Sequence, residues 1–157
     1  MCETSFNIAT SVMYGMHRDK RVVAELYHET FFENIDFIKK HFKIPEYLVI
    51  NCRPIPRRTC MLGAAWKDDE ICVIDIEVRQ SFNKFFATLF HELTHIEQFD
   101  EGRLCVEEEG KDIIYIWEGT RYNKLHTLHD DYCNSPWEVE ADKKSERIMK
   151  KFKRTLI

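Results

Sequence analysis

Apolar residues fall into two rhythms along this chain, and each switch between them marks an element. Over 21–42, Val22, Leu26, Phe31, Ile35 and Ile38 recur near helical spacing, which predicts a helix closed at or before Pro45. In EYLVINCRPI (46–55), β-branched and apolar residues cluster ahead of Pro54 and Pro56, as in a strand ending in an irregular loop. TCMLGAAW and EICVIDIEV flank KDD at 67–69 and predict a hairpin, with Cys72, Ile74 and Ile76 alternating against Val73, Asp75 and Glu77. A helix follows over 82–99, where Phe82, Phe85, Phe86, Leu89, Phe90, Leu93 and Ile96 form one wide stripe. Ser81 or Asn83 can cap its start. LCVEE and DIIYIW predict a second, weaker hairpin across 109–111, and 118–134 has no period and reads as a loop. SPWEVEADKKSERIMKKF predicts a last helix, with Ser135 at the cap, Pro136 in the first turn and cations crowding its end. Helix, three strands, helix, hairpin, loop, helix is an α+β layout. With no repeat, low-complexity tract or Pro/Gly-rich linker, residues 1–157 read as a single domain.

Composition adds little except by exclusion. Hydrophobic residues make up 44% and charged residues 32% of the chain, ordinary for a globular protein, and 11 Phe predict an aromatic-rich core. A net charge of -4 gives no general attraction to nucleic acid or anionic membrane. No run approaches the ~18 apolar residues of a membrane helix, and MCETSFNIATSVMYG lacks the basic start and apolar run of a secretory signal. The six cysteines are scattered without a C-x-x-C pair, which argues against cysteine-held zinc and a redox motif and for thiols in a reducing cytoplasm. Lys143, Lys144, Arg147, Lys150, Lys151, Lys153 and Arg154 could touch nucleic acid or an acidic protein, but cations there also complement the helix dipole while remaining solvated. Trp117 and Trp137 could frame a groove, although large aromatics more often fill a core.

The residues that carry chemistry are HELTH at 91–95. Positions i and i+4 share a helix face, so His91 and His95 can hold one tetrahedral Zn²⁺ at roughly 2.0–2.1 Å. Glu92 sits beside the first ligand, placed to act as general base on a water that zinc acidifies to a pKa of about 7. By chance the motif would arise about 0.03 times in a shuffled chain of this composition, so its place on a strongly amphipathic helix adds weight. A catalytic zinc needs a third protein ligand and one open position. Glu138 in EVEAD (138–142) is the first candidate, with Asp142 one turn on to orient a ligand imidazole. Glu140 points about 200° away round the same helix. Two alternatives stand beside this assignment: Ser135-x-x-Glu138 is also a capping box, and Glu140, His126 or His129 could supply the third ligand instead. Tyr122, His126, His129 and Tyr132 are all candidate donors to a developing oxyanion.

HELTH followed by E-x-E-A-D resembles the gluzincin branch of the zincin metallopeptidases. More narrowly, HELTHIEQF, WEGTRYN and PWEVEAD together look like compact single-domain metallopeptidases of tailed phages, the resemblance covering about residues 45–150. It implies a minimal zincin-like fold, a small antiparallel or mixed sheet packed against the HExxH helix and a C-terminal glutamate-bearing helix. It also implies Zn²⁺ as cofactor, His91, His95 and Glu138 as ligands, Glu92 as base, and a host-cytoplasm location. Two departures are the missing Gly after Leu93, where many relatives read H-E-L-G-H, and the absence of a second lobe.

The resulting expectation is a zinc-dependent hydrolase, a metallopeptidase cleaving a peptide or protein substrate. The strand at 71–78, which runs directly into the HExxH helix, is expected to be an exposed edge lining the site. The alternatives are a non-catalytic zincin-fold module that engages or inhibits a partner in phage–host interplay, and a DNA-associated protease supported only by the basic tail. No membrane or nucleic-acid partner is expected, and the pattern implies no oligomeric state.

Overall fold

The alternation at 46–55 and 70–78 becomes the middle of a mixed sheet. A computed structural model describes residues 3–8, 18–59, 61–122 and 132–156 of the chain. Strand β1 (Glu3–Ile8) leads through helices α1 (Arg18–Glu33) and α2 (Ile35–His41) into β2 (Tyr47–Arg53), which lies parallel to it. Strands β3 (Gly63–Asp68) and β4 (Ile71–Glu77) form the expected hairpin, and β4 also pairs parallel with β2, giving the order β1-β2-β4-β3. The architecture is α+β.

Three expectations need correction. The strand at 71–78 is not an edge: β2 covers one side of β4 and β3 the other. Composition explains the order, because Cys72, Ile74 and Ile76 are completely buried, whereas β3 offers small Gly63, Ala64 and Ala65 and then exposed Trp66, Lys67 and Asp68, suited to an edge. The helix expected over 21–42 is split at Asn34, whose side-chain amide donates to the Thr30 carbonyl at 2.9 Å while its backbone leaves helical values. The loop expected over 118–134 opens with strand β7 (Thr120–Tyr122), joined to β6 (Asp112–Trp117) by a turn in which Glu118 (φ 47°) and Gly119 (φ 84°) both adopt left-handed backbone. Strand β5 (Leu104–Glu109) completes this second sheet in the order β5-β6-β7, with β5 and β6 paired as expected.

Helix α3 (Phe82–Asp100) lays its stripe of Phe85, Phe86, Leu89, Phe90, Leu93 and Ile96 into the main core, joined by Leu48, Ile50 and Ile74 from the sheet. The core is aromatic-rich: Phe152 of α4 (Pro136–Thr155) meets Phe86 at 5.0 Å and Phe90 at 5.2 Å between ring centroids, and Tyr27 of α1 stacks on Phe85 at 4.2 Å. Trp137 and Trp117 pack with Leu104 in a smaller cluster under the second sheet, so the tryptophans are core rather than groove walls. α3 and α4 thereby lie against each other with their HExxH and glutamate turns in register. Among the described residues no helix is long and apolar enough to cross a membrane.

Candidate metal centre

His91 and His95 point their Nε2 atoms at one spot, 3.0 Å from each other. From the facing turn of α4, Glu138 brings Oε2 to 3.1 Å from His91 Nε2 and Oε1 to 3.2 Å from His95 Nε2. A tetrahedral zinc with arms of roughly 2.0–2.1 Å has ligand atoms about 3.3 Å apart. The three donors already stand near that spacing, and the two-histidine, one-carboxylate set suits a catalytic zinc, so these residues fit the ion. The capping-box alternative for Glu138 is not realised. Ser135 occupies the cap position of α4 but makes no side-chain cap bond, and both oxygens of Glu138 face the imidazoles instead.

Each imidazole is held from behind. His91 Nδ1 lies 3.0 Å from Asp142 Oδ1, as read from the i, i+4 spacing of Glu138 and Asp142. His95 Nδ1 lies 2.8 Å from Gln98 Oε1. Carboxylate and amide oxygens only accept, so both histidines carry a proton on Nδ1, which leaves Nε2 as the position where a metal would take the place of a proton. The orientation of Gln98 is itself fixed, because its amide nitrogen donates to the Trp137 carbonyl at 3.0 Å and to Glu140 at 3.3 Å. Glu140 in turn accepts two bonds from Arg103, at 2.8 and 2.9 Å. It is therefore neither a third ligand nor a free surface charge but the anchor of a relay, Arg103–Glu140–Gln98–His95. Sequence reasoning missed Gln98 and Arg103. The i, i+3 spacing of His95 and Gln98 was the available signal.

Glu92 lies beside the cluster with only 6% of its surface exposed. It packs on Gly63 of β3, where an added Cβ would stand 2.7 Å from Oε1 and 2.8 Å from Cγ. The edge strand thus presents one bare backbone position, Gly63, to the carboxylate. Burial raises the Glu92 carboxyl above its ordinary value, opposed by His95 and His91 and reinforced by Glu138. Burial also disfavours a charged His95, but the Glu138 carboxylate and then Glu92 outweigh it and raise the imidazole to about 9. Burial pushes Glu138 up as well, yet hydrogen bonds from His91 and His95 hold it well below the usual carboxylate range. A metal taken up by this cluster must therefore displace a proton, as metal sites generally do.

His91, Glu92, His95 and Glu138 form part of the lining of a cleft of about 980 Å³ between β3 and the β5–β6 hairpin. Of the four oxyanion candidates, Tyr132 lines this cleft, whereas Tyr122 packs edge-on against Trp137 at 5.1 Å. Burial and the nearby Glu138 charge raise the Tyr132 phenol, so it remains a proton donor. His126 and His129 lie outside the described residues. No model of a known protein family, no curated protein and no solved structure matches this chain, and the functional case rests on its own residues and geometry.

Proposed function

We propose that this chain is a zinc-dependent hydrolase of the gluzincin type, a metallopeptidase acting on an extended polypeptide. The observation that carries the reading is the convergence of His91, His95 and Glu138 to 3.0–3.2 Å spacings beside a buried Glu92. Zinc, when bound, supplies Lewis acidity that polarises a carbonyl and acidifies water. The protein's own residues do the rest. Asp142 and Gln98 fix the two imidazoles in one tautomer, Glu138 adds the third donor, and Glu92 takes a proton and returns it to the leaving amine. Tyr132 stands at the cleft as a donor to developing negative charge.

The α+β layout, with a mixed sheet ending in an edge strand beside the HExxH helix, fits a minimal zincin-like fold. The motifs fit the compact tailed-phage metallopeptidases that the sequence resembles, working in a reducing host cytoplasm. The reading is tested by measuring zinc content after mild dialysis and by comparing wild type with Glu92→Gln on a broad peptide library. The expected result is one zinc per chain in both and cleavage by wild type alone. Absence of zinc with no tight uptake on titration would refute the reading. Tight zinc with no cleavage by either form would leave a binding module in its place.

A further inference from the structure

The cleft over the candidate metal centre has two walls, and each carries a feature that the proposed chemistry leaves unexplained. The first wall is β3. Glu92 packs on Gly63, and Lys67 Nζ meets Asp100 at 3.3 Å. Eight residues of helix at 1.5 Å and four of strand at ~3.3 Å both span about 12–13 Å, so β3 and α3 run side by side in the same direction. Asp69, in the turn after β3, therefore stands about 20 Å beyond Gly63. The second wall is the β5–β6 hairpin. Its pairs Leu104–Trp117, Val106–Tyr115 and Glu108–Ile113 share one face, and that face passes from a buried base to an exposed tip. Val106 and Ile113 are 45% and 44% exposed although both line the cleft.

Met61 and Trp66, also exposed, line the opposite side. Large apolar side chains left in solvent on both walls of one cleft mark a binding surface. The charges are arranged as well. Lys67 is neutralised by Asp100, whereas Asp69 and Glu108, both lining the cleft, have no ion-pair partner among the described residues. The cleft thus carries exposed apolar side chains on both walls and two carboxylates with no ion-pair partner among the described residues.

We propose that this cleft selects an extended peptide with bulky apolar side chains over the metal centre and a lysine or arginine about five or six residues away, held by Asp69 and Glu108. An extended chain advances ~3.3 Å per residue, so six residues cover the distance from Gly63 to Asp69. The inference rests on the hydrolase reading for where the scissile bond lies, but the selectivity itself is a property of binding and is measured without catalysis. The probe is a set of labelled peptides of about sixteen residues with a central Phe-Leu block. A single Lys or Glu is placed two to seven residues to either side, and binding is followed by fluorescence anisotropy on zinc-loaded Glu92→Gln protein. With two partly exposed ion pairs, Lys five or six residues from the block binds about three- to tenfold tighter than Glu in the same place. That gain disappears in the Asp69→Asn/Glu108→Gln double variant and shrinks at about 0.5 M salt. Equal affinity at every placement, a gain that survives the double variant, or no binding of any peptide overturns the proposal. Wild-type protein incubated with the tightest peptide tests the chemistry separately: selective binding without cleavage removes the hydrolase reading and leaves the cleft's selectivity in place.

Discussion

Gly63→Ala is the sharpest test of how Glu92 is held. The added methyl would stand 2.7 Å from Glu92 Oε1, 2.8 Å from Cγ and 3.0 Å from Cδ. Unstrained contacts between such atoms settle near 3.5–4.0 Å, so the side chain or the strand must give way by roughly 0.5–1 Å. A catalytic group tolerates displacement of about 0.5 Å, and misplacement near 1 Å can remove about 10²-fold in rate. The zinc ligands do not share this contact, because His91, His95 and Glu138 meet one another on the α4 side of the cluster. The expected result is a fall in kcat of about 100-fold with zinc affinity close to wild type. Overpacking should also lower stability by about 1–3 kcal/mol. The assay is steady-state cleavage alongside zinc competition with a chelator and thermal unfolding. One outcome would refute the reasoning: full kcat with unchanged zinc binding. It would mean that β3, which among the described residues pairs on only one side, moves outward and leaves Glu92 in place.

The ligand set can be ranked by zinc competition. Glu138→Ala should lose more affinity than the roughly 10–100-fold expected for Asp142→Ala or Gln98→Ala, and Glu140→Ala should lose least because it acts only through Gln98. Full affinity in Glu138→Ala would move the third ligand elsewhere. Removing zinc should lower the unfolding midpoint, since the site ties α3 to α4 and native-only binding adds about 4 kcal/mol at a thousandfold excess over Kd; an unchanged midpoint contradicts the bridge. Glu77 offers a pH test away from the site. Burial opposes its charge, but hydrogen bonds from the Arg79 side chain and from the Arg79 and Ile55 amides outweigh it, holding the carboxyl below 4.5. Its stabilisation is therefore complete at neutral pH and lost as pH falls through the lowered value. Glu77→Gln should cost about 2–3 kcal/mol at pH 7, and the difference from wild type should shrink below pH 4.5. A constant difference down to about pH 3 would contradict the carboxylate's role.

What the sequence made legible is what one turn of helix or one strand carries by itself. The α3 stripe, the alternation of β4, HELTH and the Glu138–Asp142 pair depend on spacings of two to four residues, and the structure places each on the face its spacing implies. What stayed hidden depends on partners far along the chain or on unusual local backbone. Strand β1 is six residues whose pairing partner begins at Tyr47, beyond the α1–α2 crossover, and β4 lies inside the sheet because β2, separated from it by residues 54–62 and β3, pairs along its other side. The β6–β7 turn escaped notice because Glu118 occupies a left-handed position usually filled by Asn or Asp. Gly63 read as an ordinary small residue in a strand, and only the packing of Glu92 against its bare backbone gives it a role. The tautomer of His95 is the clearest case. It follows from Gln98, whose orientation follows from the Trp137 carbonyl and Glu140, and Glu140 is positioned by Arg103. Beyond the i, i+3 pair His95–Gln98, each link joins residues that no periodicity connects, so the histidines can be read from one helix while the arrangement that readies them for a metal emerges only when α3, α4 and the start of β5 pack together.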